Sequence, residues 1–318
     1  EERPVEQVEF SAMTEAGSVS TKLSLGVGLK PEWKDADEIA VYDQSKIQQF
    51  FVFESEGSQA KFTGKVTEGA AEFSAVYPYS AAKSFADGKF TVEIPAEQVI
   101  EAGDSADASA LLAVAQASRT EDGVHLSFRN VCGLIQVKIP QSGKISAVVI
   151  KGKGDETLAG EGVVTISDAP SIALAATASK TVTLRPAGEN ATFEAGTYYA
   201  AVAPVKFASG FTISLVRTDG AAGLVGTDLE MEVVRNGGKG LDDIVAISDW
   251  SWIIYTKEQL QAWNKGDRKK TDYVELGADI DMQGETWVPH AFSGTFDGKG
   301  HKIYNFVVDT SSEEYKNV

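Results

Sequence analysis

Cysteine is almost missing from this sequence: Cys132 stands alone among 318 residues. A single thiol excludes an intramolecular disulfide, so hydrophobic burial must hold the fold, which a chain of this length can supply. Histidine is nearly as scarce, with three in all. His125 falls opposite the apolar positions of Val124-His-Leu-Ser-Phe128, and no Ser or Cys nucleophile surrounds it. It reads as an exposed strand residue. His290 and His301 lack a third ligand at metal spacing. Lysine and arginine total 29 against 46 acids, a net charge of −17. That excess opposes nucleic acid and anionic membrane as partners, since both are polyanions. Apolar runs are too short for a transmembrane helix, and no charged-then-apolar signal peptide is visible. Glu1 is an unusual natural start, so a mature or trimmed chain is expected. Arginine does not occur between residues 4 and 118.

What is present is the material of strands and turns: 30 Gly and abundant Val, Thr, Ile, Phe and Tyr. Gly196-Thr-Tyr-Tyr-Ala-Ala-Val-Ala-Pro-Val205 runs through Lys206-Phe-Ala-Ser-Gly210 into Phe211-Thr-Ile-Ser-Leu-Val216. The pattern predicts one strand handing over to its antiparallel neighbour. Alternation also predicts strands at Val5–Met13 and Thr21–Leu29 in the first third. Gln48–Phe53 is aromatic-rich, Lys61-Phe-Thr-Gly64 and Ala70–Tyr79 read as a hairpin, and Phe90–Ile94 reads as a strand stopped by Pro95. Further strands are expected at Val124–Phe128, Ile145–Ile150, Val163–Ile166, Thr181–Leu184 and Leu229–Val234. The Ala-rich stretch from Asp104 to Ala117 fits either a helix or a buried strand. Cys132, within the apolar run Phe128–Ile139, reads as a buried core thiol.

The length exceeds one ordinary β-domain. Net charge is −10 over 1–119, −3 over 120–245 and −4 over 246–318. With alternation restarting at Val124, the expected units are a β-sandwich at 1–119, a second at 120–245, and a different module at 246–318. Four of the five tryptophans (Trp250, Trp252, Trp263, Trp287) fall in that last module. So does the one convincing helix, Ile254–Trp263, with Thr256 as its cap. Short strands with Gly/Asp turns follow, as in the coils of a β-solenoid. Such coils cannot bury their faces alone, so a continuation beyond Val318 is expected.

Candidate chemistry is sparse. Asp35, Asp37 and Glu38 lack the spacing and turn glycine of a helix–loop–helix calcium site and read as a solvated turn. Gly152-Lys-Gly154 and Gly237-Gly-Lys-Gly240 lack phosphate-loop spacing and read as turns. Asp279, Asp281 and Asp297 lie near aromatics and invite a glycosidase reading. However, Asp-Ile-Asp alternation points both acids outward, and Asp297-Gly298 is a turn pair. The Asn190-Ala-Thr192 sequon matters only with a glycosylating export route. No catalytic, cofactor-binding or metal residue is nominated, and no cofactor is expected.

Two resemblances add to this reading. Trp33, Asp37-Glu-Ile-Ala-Val-Tyr42, Tyr77-Pro-Tyr-Ser80, Gly196–Pro204 and Gly210-Phe-Thr-Ile213 together resemble the fimbrillin-like surface proteins of Bacteroidetes. That resemblance implies two tandem transthyretin-like sandwiches and a role in fimbriae or adhesion. It also implies export to the outer membrane and cell surface, with attachment by an N-terminal lipid removed from this chain. Tyr255-Thr-Lys-Glu-Gln-Leu260, Leu276–Met282, Trp287-Val-Pro289 and Phe292–Ile303 are similar to the entry of a GLUG-repeat β-helix. In polymerising relatives, the resemblance would imply cleavage after an arginine following the first strand, and residues 4–118 offer none. The expectation is a non-enzymatic, adhesin-like or tip-like protein rather than a stalk subunit. Its partners would be other fimbrial subunits or a host or bacterial surface ligand such as a glycan. The alternative is a glycan-binding or polysaccharide-degrading protein with its active coils beyond residue 318.

Overall fold

The computed structural model describes residues 3–15, 32–101, 103, 105–139, 145–189, 191–218, 220–240, 252–266 and 272–308. The chain opens with β1 (Val5–Met13), β2 (Glu38–Tyr42), β3 (Ile47–Glu56), β4 (Gln59–Thr67) and β5 (Glu72–Tyr77). It continues with β6 (Ala82–Ala86), β7 (Lys89–Ile94), β8 (Glu97–Ile100), β9 (Ala113–Ser118), β10 (Val124–Ser127) and β11 (Arg129–Asn130). Next come β12 (Gly133–Ile139), β13 (Ile145–Gly152), β14 (Gly160–Thr165), β15 (Ser171–Leu174), β16 (Thr181–Pro186) and β17 (Gly196–Val202). The middle of the chain closes with β18 (Val205–Phe207), β19 (Phe211–Arg217), β20 (Ala222–Thr227), β21 (Met231–Val233) and β22 (Gly238–Gly240). The last quarter holds β23 (Trp252–Ile254), α1 (Lys257–Lys265), β24 (Tyr273–Leu276), β25 (Ile280–Asp281) and β26 (Thr286–Trp287). β27 (Thr295–Asp297), β28 (Ile303–Tyr304) and β29 (Val307–Val308) complete it.

The first sheet has eight strands in the order β10-β1-β4-β3-β2-β5-β9-β11. Period-2 alternation sends Phe10, Ala12, Phe50, Phe62, Phe73, Leu126 and Phe128 to one face. There they form a buried core with Ile39, Val41 and Trp33. β10 also lies against β9, so the sheet rolls over this core. Phe10 stacks on Phe50 at 4.7 Å and meets Phe73 edge-on at 4.8 Å. Trp33 meets Phe62, Tyr77 and Phe128 edge-on. Each such buried phenyl contributes about 1.5–3 kcal/mol by area. Gly64 permits this packing: a Cβ there would lie 2.4 Å from Phe50 Cδ2.

The second body comprises a five-stranded sheet (β20-β19-β13-β16-β8), a four-stranded sheet (β15-β14-β7-β6) and a three-stranded sheet (β17-β12-β22). Phe90, Ile94, Val137, Val148, Ile150, Leu184, Phe211 and Ile213 form its larger core. Ala40, Val76 and Val114 from the outer face of the first sheet belong to this core too. Their neighbours Ile39, Val41, Ala75, Ala113 and Ala115 face the first core. Strands β2, β5 and β9 are therefore buried on both faces.

These pairings correct four expectations. Lys61–Gly64 and Ala70–Tyr79 do not form a hairpin: β4 pairs with β1 and β3, and β5 with β2 and β9. A break near residue 120 does not separate two tandem sandwiches. β10 pairs in parallel with β1 and supplies Val124 and Leu126 to the first core. Meanwhile β7 pairs with β14, and β8 with β16. Alternation marks a strand as half-buried but does not say against which partner. The Gly196–Val216 stretch is not a hairpin: β17 pairs with β12, whereas β19 pairs with β13 and β20. β18, paired with β21, carries the chain from one sheet to the other. Gly238–Gly240 is a strand parallel to β12 rather than a turn. The ambiguous 104–117 stretch resolves into a 3-10 turn at Ala108–Ala110 and strand β9. The expected Thr21–Leu29 strand, the break at 246, Trp250 and Asn190 lie outside the described residues.

In the last quarter β23, β24 and β27 pair in parallel, as do β25 with β28 and β26 with β29. α1 begins with a capping box: Thr256 accepts from the Gln259 amide, and Gln259 reaches back to the Thr256 amide. Leu260 and Trp263 of α1 pack with Ile254, Val274, Leu276, Ile280 and Met282. Ile253 docks this module on Ala147, Val149, Val216 and Ala222 of the five-stranded sheet. Tyr255 and Ser214 hydroxyls lie 3.1 Å apart across the contact. Lys151 Nζ donates to the Gly277 carbonyl at 2.5 Å.

A chain cut after residue 119 will lack Val124, Leu126 and Phe128 and should not fold as a unit. Dispersed amide resonances from such a fragment would contradict the interleaved arrangement. In the intact chain Phe62→Ala should cost about 3–5 kcal/mol, read from denaturant unfolding.

Candidate functional site

Among the described residues, four places where polar side chains converge bear on candidate chemistry. On the outer face of the rolled sheet Ser11 of β1 stands opposite His125 of β10, with Oγ 2.5 Å from Nδ1. The pair lines a depression together with Met13, Glu54, Gln59, Lys61 and Ser127. Sequence reasoning missed this neighbour because 114 residues separate the two. A parallel pairing over such a distance leaves no local signal. Nucleophilic catalysis would require a further group orienting the imidazole and donors for an oxyanion. Among the described residues no carboxylate hydrogen-bonds the His125 ring, and Glu54 is held by Lys61 at 2.5 Å. Ser11 and His125 thus form a cross-strand contact.

The acidic turn before β2 distributes its carboxylates to separate partners. Asp37 accepts from the Lys34 amide at 2.8 Å and the Tyr77 hydroxyl at 3.0 Å. Asp35 accepts from Ser55, and Glu38 from Gln49. Burial and the neighbouring Asp37 raise the Tyr77 pKa, which keeps its proton on the hydroxyl. Each of these acids thus has protein partners of its own.

Asp43, absent from the candidates that sequence reasoning raised, is 1% exposed and takes more hydrogen bonds than any of them. Its oxygens accept from the Ser45, Lys46 and Thr67 amides at 3.1, 3.1 and 2.7 Å, and from the Ser45 and Thr67 hydroxyls at 2.6 and 3.0 Å. Burial would raise its pKa. Donors from Ser45, Thr67 and Lys46 overcome that and hold the carboxyl well below the usual range. The carboxylate closes the β2–β3 turn and pins it to the end of β4.

The fourth place is the module of parallel strands. Asp279 accepts from the Lys302 amide and lies 3.1 Å from His301 Nδ1. Asp281 accepts from the Gln283 amide and from Asn305 Nδ2 at 3.0 Å. Asp297 accepts from the Lys299 amide and the Tyr273 hydroxyl. Lys299 Nζ also pairs with Glu275 and Asp297 and lies over the Tyr273 ring. These acids therefore staple one strand level to the next. The Lys302 amide and His301 lower the pKa of Asp279, and the amide and ammonium of Lys299 lower that of Asp297. A glycosidase general acid needs the opposite shift. Tyr273, Phe296, Tyr304 and Phe306 are 38–44% exposed on the same module.

Cys132 is buried, and desolvation pushes its thiol up to about 12, so it stays protonated. Gly152 and Gly154 pack on Glu156, whose carboxylate accepts the Gly154 amide. That leaves the loop directed at an internal acid.

No protein-family model matches the sequence, and no curated protein matches it. Among solved structures the chain is similar to a candidate cell adhesion protein from Bacteroides ovatus. That match has 14% identity, 72% of this chain and 90% of that chain covered, and a TM-score of 0.40. It is also similar to a candidate cell adhesion protein from Bacteroides thetaiotaomicron, at 15% identity, 74% and 91% coverage and a TM-score of 0.39. A C-terminally truncated tip fimbrial protein from Porphyromonas gingivalis aligns at 11% identity, 75% and 96% coverage and a TM-score of 0.34. Scores at this level do not define a common fold.

Asp43 gives a pH prediction with a definite sign. Its folded pKa lies below its unfolded value of about 3.9. The stability it contributes is thus present above about pH 4 and lost as pH falls below that. Asp43→Asn should cost about 2–3 kcal/mol at pH 7. It should also flatten the loss of stability below pH 4, as read from urea midpoints across pH 2–7.

Proposed function

We propose that this chain is a non-enzymatic cell-surface adhesion protein associated with fimbriae, with a stack of β-solenoid turns facing the ligand. The observation that carries the reading is the last quarter of the chain. Its strands lie parallel to those about 22 residues further along, within the spacing of stacked repeats. The stack is anchored on the five-stranded sheet through Ile253, Tyr255 and Lys151. It shows half-exposed aromatic rings to solvent. Flat aromatic faces beside carboxylates and amides suit sugar rings, which offer C–H faces and hydroxyl edges.

The fimbrillin-like landmarks in the sequence support an exported, outer-membrane setting with an N-terminal lipid anchor, and fimbrial subunits as further partners. A tip-like role is favoured over a polymerising stalk role by β1. That strand is paired with β4 along its whole length, from Val5 opposite Thr67 to Met13 opposite Gln59, and with β10 at its C-terminal end. A strand held this way is not available for exchange without unfolding part of the sheet. A glycosidase reading of Asp279 and Asp297 is disfavoured because both are engaged as inter-strand staples with lowered pKa values.

Binding of the full chain to an array of neutral and acidic glycans tests the proposal. Retention should be lost on truncation at residue 246 and reduced about tenfold or more by Tyr273→Ala with Phe296→Ala, an order expected for lost aromatic stacking. Turnover of a bound polysaccharide that disappears in Asp279→Asn, with the fold intact, would instead favour the enzyme reading.

A further inference from the structure

Three chain segments meet where the polypeptide passes from the rolled sheet into the second body. The first is the end of β1, continued by Thr14 and Glu15. The second is Phe128–Cys132, which leaves β10 and enters β12. The third is the turn Val234–Gly237 between β21 and β22. Glu15 sits at their centre with its side chain only 13% exposed. Arg235 Nη1 donates to Glu15 Oε2 at 2.6 Å, and Nη2 donates to Oε1 at 2.9 Å, a two-pronged pair. The same Nη1 donates to the Asn130 carbonyl at 2.9 Å, and the Asn130 amide donates to Glu15 Oε2 at 3.0 Å. Asn130 Nδ2 donates to Asn236 Oδ1 at 2.6 Å, and the Asn236 amide to the Cys132 carbonyl at 2.9 Å. Arg129 stands 3.9 Å from Glu15.

We infer that the Glu15–Arg235 pair is a latch that locks the C-terminal half of β1 and its pairing with β10 to the second body. The placement supports this in two ways. β1 meets β10 only at Phe10–Met13, just before Glu15. The Phe128 amide then donates to the Met13 carbonyl, so the ladder runs straight into the cluster. Loss of Arg235 leaves the partly buried Glu15 with only Arg129, at 3.9 Å, as a charged partner, and loss of the Glu15 charge takes the carboxylate from Arg235; either change favours local opening of that ladder. Coupling of this kind is reciprocal. Displacement of the 234–237 turn loosens β1, and release of β1 loosens the turn.

Hydrogen–deuterium exchange on the full chain tests the latch. In Arg235→Ala and Glu15→Gln, amides of residues 8–15 and 124–131 should exchange about tenfold faster or more, with those of β13 and β19 unchanged. Arg235→Lys keeps the charge and preserves folding but cannot form two parallel bonds. It should show a smaller rise confined to the same peptides. Unchanged exchange in residues 8–15 in all three variants would overturn the latch. An equal rise in β13 and β19 would also overturn it, because the pair would then be a general stabilising contact.

Discussion

Burial of β2, β5 and β9 on both faces is the constraint on which the rest of the structure depends. Alternate residues of these strands enter different cores: Ala40, Val76 and Val114 on one side, Ile39, Val41, Ala75 and Ala113 on the other. A strand used twice cannot be displaced without opening both cores, so the two bodies share one cooperative framework. The small residues follow from this. Ala at positions 40, 75, 113 and 115 lets opposing layers approach a strand covered on both sides, where larger side chains would hold them apart.

Much of the polar chemistry of that framework lies at turns, and the most buried carboxylates there, Asp43 and Glu15, each take several nearby donors. Asp43 and Glu15 show the same physical solution at different places: burial disfavours the charge, and hydrogen bonds restore it. A carboxylate held this way is a structural anion with a fixed orientation. It has no proton to give at neutral pH and few lone pairs left for a substrate. The exposed acids of the last module are engaged in a similar way, with partners one strand level away.

Local structure was legible in the sequence to a large degree. β1 runs from Val5 to Met13 as its alternation predicts, and Thr256 caps α1 as expected, although Ile254 belongs to β23 and the helix begins only at Lys257. Cys132 lies in the core as its apolar neighbours required. Pairing was not legible. The sharp restart of alternation at Val124 marks a true strand, but one that completes the first core beside β1 rather than opening a second domain. The run from Gly196 to Val216 holds two strands whose turn residues mimic a hairpin, yet they join different sheets. Both errors share a cause: period-2 patterning records which face is buried, whereas partner choice depends on contacts with strands far away along the chain. The Ser11–His125 contact was invisible for the same reason. Asp43 was overlooked because its donors come from the β2–β3 turn and from Thr67 at once, and only folding brings them together.

The two ends of the architecture differ in how they resist separation. In the rolled sheet, aromatic packing dominates: Phe10, Phe50, Phe62, Phe73 and Trp33 interlock over distances of about 5 Å, and polar contacts are peripheral. In the last module the strands are two to four residues long, too short for ladder hydrogen bonds to hold them alone. Stability there must come from what stacks between levels, namely Val274, Ile280 and Trp263 inside and the Asp279, Asp281 and Asp297 staples outside. A module built this way gains order from each level laid on the one beneath, and its lowest level is fixed by Ile253 and Tyr255 on the five-stranded sheet. The sheets therefore serve as the foundation on which the first level of this stack rests.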